Sequence, residues 1–581
     1  MGRKEYIMGL KRGRLIFLLV IFNLILILLL FRLVELQIFG GKSLAIKAQE
    51  SRFRLISGED YPRGQILDRN GISLTDSGIR PALIIFPYMI KEKDEFSSLI
   101  SKILGVSKDL LKDSLNKKKY LIIPNLSNEQ IKKIKNLNLE GTLIISFKTR
   151  YGPNSLSRHL VGHINSIDLE TWKTIQNKTF FKKEYNINDF IGVKGIEVLY
   201  EKYLRLEDPL FYWIVTVDAR ERIIPGLSFK RIAGYQKAGR PSVVTTLDFQ
   251  IQKKVEEIMD QMVPHGAVVV MDVLNGDIIA LASRPNYDQN NLAECLEVRK
   301  KPDNDPFINR AFEHYYPGSI FKVLIAAAAI EEKIVNPEDI FSCSGEYVLN
   351  PQLKIGCWKN EGHGEITFKE GFAQSCNSVF VDTALHLGRK KILEYAEKFN
   401  LVYDGALIGY PRSRFKSVDI SPYGEGKMAN AALGQEGVRL SPVQVAGMIS
   451  VIANGGHLVV PRIVKEIKDY SGRAIISYDT EKPKRVISEK TCRIIQEMMV
   501  KTTTEGTGKK AWIPKYGSAG KTGSAETGLS IDKPKYYNWF AGYFPIEKPR
   551  FAVVVMVEGG VSGGETAAPV FREIASFLAE Y

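Results

Sequence analysis

Leu15 to Phe31 is an uncharged apolar run with Asn23 as its one strongly polar residue, and it constrains this chain more than any other segment. Continued through Leu33-Val34, it reaches the roughly 20 residues that a helix needs to cross a bilayer. Arg3, Lys4, Lys11, Arg12 and Arg14 precede it, so the positive-inside rule predicts a cytoplasmic N-terminus and an exterior location for everything after Glu35. A cleaved signal peptide is the competing expectation. The run is longer than a usual signal core, however, and only the weak site Ser43-Leu44-Ala45 follows it. No second apolar run of that length occurs, so the expectation is an uncleaved, single-pass anchor.

The 581 residues exceed what one compact core accommodates, which predicts two or three domains. A formal net charge of +15 points to anionic surroundings. No zinc-finger spacing or recognisable DNA- or RNA-binding motif is present, so nucleic acid is set aside as a partner. Basic residues scattered through the first half suit lipid headgroups or an anionic wall polymer instead. The five cysteines (Cys295, Cys343, Cys357, Cys376 and Cys492) are too few and too spread for a disulfide scaffold, and they lack metal-ligand spacing. No metal and no cofactor is expected.

Further along, Lys91 to Lys135 is rich in Lys, Ser, Asn and Leu with helical periodicity, as in an inserted surface subdomain. Ile224 to Pro241 concentrates glycine and proline and reads as a linker or exposed hairpin. A new module begins at Val243-Val244-Thr245-Thr246, followed by an amphipathic helix through Gln252 and Met259. Gly266 to Asp272 and Ile278 to Ser283 read as strands joined by the turn Asn275-Gly276-Asp277. Near the end, Trp539 to Phe544 and Phe551 to Val557 read as a second hairpin. The strand bearing Lys521 should pair beside it. Val570, Phe571, Ile574 and Leu578 form one helical stripe suited to packing on the sheet.

Chemistry concentrates in Pro317-Gly318-Ser319-Ile320-Phe321-Lys322. The Pro-Gly turn, followed by Val323-Leu324-Ile325 and the alanines Ala326 to Ala329, places Ser319 at a helix start with Lys322 one turn on. A serine hydroxyl attacks carbonyls only when a base takes its proton, and lysine serves as that base only when its pKa is pulled down. Alone this pattern is common. Ser375-Cys376-Asn377 and Lys521-Thr522-Gly523-Ser524 follow in order, and they change its weight.

The sequence Ser-x-x-Lys, Ser-x-Asn, Lys-Thr-Gly resembles the active-site set of penicillin-binding proteins and serine β-lactamases. Pro62-Arg63-Gly64-Gln65-Ile66-Leu67-Asp68-Arg69-Asn70-Gly71 resembles the box that opens the non-catalytic module of class B penicillin-binding proteins, which β-lactamases lack. Arg158-His159-Leu160-Val161-Gly162-His163 and Gly192-Val193-Lys194-Gly195-Ile196-Glu197 resemble further boxes of that module. Their charges are expected to be structural, as salt bridges and turns. Leu206-Glu207-Asp208-Pro209 departs from the family, standing where relatives carry a glycine-containing turn.

The resemblance implies a mixed α/β penicillin-binding transpeptidase fold with a five-stranded antiparallel sheet flanked by helices. A mainly β pedestal and one transmembrane helix would precede it. The expected divisions are a cytoplasmic segment 1–14, an anchor 15–34, a pedestal 35–235 and a catalytic domain 242–581. By resemblance, Ser319 is the nucleophile, Lys322 its base, Ser375 a proton relay and Asn377 a contact to the substrate amide. Lys521 and Thr522 would grip the terminal carboxylate, Gly523 would allow close approach of the substrate, and the N–H groups of Ser319 and Ser524 would form the oxyanion hole. The implied reaction is serine acyl transfer between peptidoglycan stem peptides, blocked covalently by β-lactams, with a SEDS-family glycan polymerase as membrane partner. A β-lactam sensor or hydrolase and a non-catalytic scaffold are the alternatives. No deacylating base is marked, and all three motifs are intact.

His363, in the turn Gly362-His363-Gly364, reads as turn-stabilising, and His314-Tyr315-Tyr316 as cleft wall. Gly434 to Gly437, with Ser441-Pro442, reads as a loop and helix start bordering the cleft. Cys376 lies inside the second motif and Cys357 precedes it by nineteen positions. The expectation is that both are buried small hydrophobes, with a Cys357–Cys376 bridge, or Cys343 as a rival partner for Cys357, as the alternative.

Overall fold

The computed structural model describes residues 2–39, 52–118, 120–167, 189–206, 208–218, 224, 229–234, 239–299, 304–403, 407–411, 415–421, 424–527 and 535–581. The Ser43-Leu44-Ala45 site, much of the 224–241 linker and Glu207 lie outside them. Helix α1 (Gly2–Val34) is 33 residues long, and its stretch from Leu15 onward is exposed and apolar. Asn23 Nδ2 donates to Leu19 O at 2.8 Å, so the polar side chain of the span is satisfied along its own helix, as a lipid-facing surface requires. By length and composition α1 is able to cross a membrane.

The chain divides into two compact units that do not follow chain order: Met1–Asp60, Ile79–Lys148 and Asp208–Gln236 form the first, and Tyr61–Gly78, Thr149–Glu207 and Lys237–Tyr581 the second. In the first unit, Phe53–Ser57, Phe211–Thr216 and Lys230–Ala233 make an antiparallel sheet. A second sheet places Gly78–Ile85 between Leu121–Ile123 and Thr142–Thr149. The periodicity across Lys91 to Lys135 resolves into three helices, Lys93–Leu104, Lys108–Lys117 and Asn128–Leu137. Their Phe96, Ile100, Leu111, Leu115 and Ile134 form one core with Leu83 and Ile85 of the second sheet.

The second unit opens with the Arg63 box. Its strand Gln65–Leu67 runs parallel to Ser242–Thr245, which pairs antiparallel with Val464–Lys468. Arg63 reaches Glu197 through Nε at 2.8 Å and Glu201 at 2.7 Å, while Arg150 Nε donates to the other Glu197 oxygen at 2.7 Å. Tyr151 donates to Glu197 as well, and the Gly192 N–H to Glu201. All four charges are buried. Asp68 accepts the N–H groups of Asn70, Ile72 and Phe249, fixing the Asn-Gly turn of the same box. The charges of the boxes do hold architecture together.

After the N-cap Asp248, helix α2 (Phe249–Met262) leads into strands β1 (Gly266–Asp272) and β2 (Ile278–Arg284). Helices α3 (Lys322–Glu331), α4 (Asn377–Lys398, broken at Gly388), α5 (Pro442–Ala453) and α6 (Glu489–Thr504) follow. Strands β3 (Ala519–Glu526), β4 (Tyr536–Phe544) and β5 (Phe551–Glu558), and then helix α7 (Ala568–Glu580), complete the unit. The sheet order is β2-β1-β5-β4-β3, with every neighbour antiparallel, so the expected five-stranded sheet is present. Alternation sorts its side chains. Val268, Val270, Phe540, Val553 and Val555 face the core of α2 and α7, where Val255, Met259, Phe571 and Ile574 meet them. Val269, Met271, Trp539, Val554 and Met556 face the core that contains α3 and α5. Burial on both faces explains why these strands read as continuous apolar runs. Helix α3 is buried along its whole apolar length, which seats its first residue, Lys322, deep in the interior.

Candidate active site

The Pro317–Lys322 segment forms a tight 3-10 turn, Gly318–Phe321, that feeds directly into α3. Gly318 takes φ +56°, a left-handed conformation that suits glycine, and its N–H donates to Gly434 O at 3.0 Å. A Cβ on Gly434 would sit 2.0 Å from Gly318 O, so two glycines permit this contact and fix the turn that carries Ser319. That is the structural role of the Gly434 to Gly437 loop, whose following helix α5 is capped by Ser441 and Gln444. On its other side the turn meets edge strand β3. A Cβ built on Gly318 would lie 3.0–3.2 Å from the Ser524 backbone. Ser319 and Ser524 are thus carried by touching segments, with Ser319 half-buried and Ser524 exposed. A Cβ on Gly523 would fall 2.6 Å from Pro317 O, so this glycine serves the approach of the Ser319 turn to β3.

Behind the turn the three motifs join through two lysines. Lys322 Nζ donates to Ser375 O at 2.9 Å, Asn377 Oδ1 at 2.8 Å and Cys376 O at 3.4 Å. Lys521 Nζ donates to Ser375 Oγ at 2.9 Å and Thr522 O at 3.1 Å. Both side chains are fully buried, over the faces of Phe380 and Phe372 respectively. Every acceptor they find is neutral. Burial therefore brings the Lys322 ammonium down to about 8. Burial, then the proximity of Lys322, drives Lys521 well below its ordinary value. Ser375 lies between the two, contributing its hydroxyl to one and its carbonyl to the other, in a left-handed conformation at φ +56°. Asn377 is held at both ends, since its Nδ2 donates to Gly356 O at 2.9 Å.

Thr522 Oγ1 lies 2.6 Å from Thr507 Oγ1, and the Gly563 N–H donates to Ser524 Oγ at 2.9 Å. Thr507 and Gly563 carried no signal in the sequence, because one lies in a turn and the other at a helix start, each without a motif. Trp539 of β4 donates to Tyr316 O at 3.1 Å, and Tyr315 packs on Tyr537. The aromatic segment before Ser319 therefore packs against β4. All five cysteines are free and buried, so the Cys357–Cys376 and Cys343–Cys357 bridges are not formed. The reading of the cysteines as lacking ligand spacing does not carry into space: Cys343, Cys357 and Cys376 gather around His363.

Residues 266–576 match the model of the penicillin binding protein transpeptidase domain, and residues 59–229 that of the penicillin-binding protein dimerisation domain. Stage V sporulation protein D of Bacillus subtilis is 29% identical over 97% of this chain and 85% of its own. Peptidoglycan D,D-transpeptidase MrdA of Haemophilus influenzae is 25% identical over 94% of this chain and 88% of its own. Peptidoglycan D,D-transpeptidase PbpA of Mycolicibacterium smegmatis is 29% identical over 58% of this chain and 73% of its own. With three intact motifs converging on one lysine-lined site, and a family match over more than half its length, the chain belongs to the penicillin-binding transpeptidase family.

Proposed function

We propose that this protein is a peptidoglycan D,D-transpeptidase in which Ser319 is acylated by a stem peptide. The observation that carries the reading is the junction of Lys322, Ser375, Asn377 and Lys521 behind the Ser319 turn. Ser319 Oγ attacks the carbonyl of the penultimate D-alanine while Lys322, kept partly neutral by burial, takes its proton. The N–H groups of Ser319 and Ser524, on touching segments, hold the oxyanion; one such donor is worth about 3 kcal/mol in a comparable enzyme. The C–N bond to the terminal D-alanine then breaks. Its amine leaves with a proton delivered through the Ser375 hydroxyl, which Lys521 orients. An amine of a neighbouring stem attacks the ester, loses a proton to the same network and frees Ser319. The Thr507–Thr522 hydroxyl pair receives the terminal carboxylate, with Lys521 buried behind it. The exposed edge of β3 aligns the substrate as an added strand.

The finer topology belongs to the same reading. Residues 1–14 lie in the cytoplasm, 15–34 cross the cytoplasmic membrane, and a pedestal within 35–235 supports the catalytic domain 242–581 outside. A SEDS-family polymerase is the expected membrane partner, which co-purification from membranes tests; its absence from every such preparation would remove it. β-lactams mimic the acyl donor and block Ser319. Fluorescent penicillin should label the wild type covalently and leave folded Ser319→Ala unlabelled. Wild-type labelling of that variant would overturn the assignment of the nucleophile.

A further inference from the structure

A cavity of about 430 Å3 opens in the first unit, just past the end of the strand Gly78–Ile85. The edge strand Phe53–Ser57, the turn Pro87–Met89 and the end of the helix Lys108–Lys117 meet there. Its size falls within the roughly 300–1,000 Å3 of small-molecule sites. We propose that this cavity binds a membrane lipid phosphate, with an acyl chain inside and the phosphate on the cations at its mouth.

Both halves of that ligand follow from how the walls are built. Along Gly78–Ile85, alternation sends Leu83 and Ile85 into the core of the three helices, and Ala82 and Ile84 into a second core shared with the first sheet. The cavity lies where these two cores part. Its floor is Ile56, Phe86 and Val215 from the second core and Leu115 from the first, all buried. Hydrocarbon suits such a floor, and a polar polymer does not. The mouth has the opposite character. Arg54 stands directly across the sheet from Val215, so both lie on the face that looks into the cavity. Lys93 Nζ donates to Leu115 O at 3.3 Å and Asn116 Oδ1 at 3.1 Å, both neutral acceptors, and Lys118 is exposed nearby. Arg54, Lys93 and Lys118 thus bring three cations to the cavity, and no carboxylate stands among the described residues that line it. The planar guanidinium matches phosphate oxygens in pairs, and the ammonium groups add charge. An inward-facing arginine on an edge strand also deters strand pairing, but that role calls for neither the two lysines nor an apolar floor.

The source of the lipid is the bilayer that takes α1. Arg54 comes fifteen positions after Phe39, where the first helical stretch ends, so the chain can carry it no further than about 55 Å from that point. Tethered in this way, the cavity meets lipid at an effective concentration of about millimolar or more, and a weak intrinsic affinity suffices for occupancy. Tyr88 and Tyr120 are exposed at the mouth, and such amphipathic rings suit a membrane–water interface. A free anionic polymer would satisfy the cations and leave the floor in water. A bound lipid would hold the first unit to the membrane at a second point besides α1.

The test uses the full chain in phosphatidylcholine nanodiscs that contain a minority of lipid with a photoreactive acyl chain. Phosphatidic acid bearing that chain should cross-link to the peptides around Phe86 and Leu115, while phosphatidylcholine bearing it should label α1 only. Combining Arg54→Gln with Lys93→Gln should cut cavity labelling at least tenfold and leave labelling of α1, the internal standard, as it was. Val215→Trp fills the floor and should do the same with the cations intact. Penicillin labelling at the wild-type level in each variant checks that it is folded, and the charge variant alone decides the matter if the tryptophan variant is not. Excess inorganic phosphate should leave the cross-link in place; displacement would mean a site for free anions and overturn the lipid. Equal cavity labelling by the two lipids, or labelling of α1 alone by both, overturns the proposal. So does a photoreactive residue at position 88 that captures a protein and no lipid in native membranes.

Discussion

The buried charges of the Arg63 box and those of the catalytic centre obey opposite rules. Around Glu197, two arginines and two glutamates are matched one for one, with Tyr151 and backbone groups completing the set. Burial alone would lower Arg63, but the carboxylates of Glu197 and Glu201 more than reverse it. Burial would raise Glu197, and Arg150 and Arg63 reverse that as well. At the catalytic centre, two cations of the same sign meet only carbonyls, an amide and a hydroxyl, so burial wins and both shift towards neutrality. Compensated charge builds the frame, and uncompensated charge leaves amines shifted towards neutrality. Mixed into the first group, Lys322 would be inert.

The largest effect should come from removing Lys322, the proposed base. Lys322→Met should slow penicillin acylation by about 10²–10⁴-fold and leave thermal stability equal or higher, because an unpaired buried cation gives way to an apolar chain of similar length. A sharp loss of stability would mean that Lys322 belongs with the framing charges. Arg63→Met should do the reverse. It strands Glu197 and Glu201 and should cost about 3–5 kcal/mol, measured by denaturant unfolding, while the acylation rate of the folded fraction stays near wild type.

A third kind of buried group sharpens the contrast. His159 and His163 are held neutral, chiefly by burial, with pKa values lowered to about 3 and about 4. Below their ordinary value near 6.5 the unfolded chain binds protons that the folded chain refuses. Their contribution is therefore complete above pH 6.5 and lost as pH falls through about 4 for His163 and about 3 for His159. Melting curves between pH 7 and 4 should show this fall, and His163→Gln should flatten it; an unchanged slope would mean that His163 is protonated in the fold. The smallest effect is expected at Thr507. Replacing it with valine removes one hydroxyl partner of Thr522 and should weaken penicillin acylation by roughly tenfold or less, in keeping with about 1 kcal/mol for a hydrogen bond.

What the sequence reveals of this molecule follows from how each feature is encoded. The strands of the sheet are local apolar runs, and the motifs are short and contiguous, so both can be read directly. The union of Ser319 with Ser524 was foreshadowed only by the family resemblance, since about two hundred residues separate them. The cysteine–histidine cluster escaped because its donors are spaced 14, 6 and 13 residues apart, a pattern no local rule marks. Thr507 escaped because a lone threonine in a loop announces nothing. The two-unit division escaped for a topological reason: residues 61–78 and 149–207 leave the first unit and join the second, and composition does not change where they cross.

The place of β3 at the rim of the sheet also has a kinetic consequence. A rim offers one row of backbone N–H and C=O groups, and that row accepts one extended peptide in one register. Donor and acceptor stems therefore cannot both lie along it. On the proposed mechanism the donor docks first, surrenders its last residue and stays tethered as an ester until the acceptor amine arrives. Double-reciprocal plots at several acceptor concentrations are expected to run parallel, and the lifetime of the tethered ester sets how long each enzyme waits for its second partner.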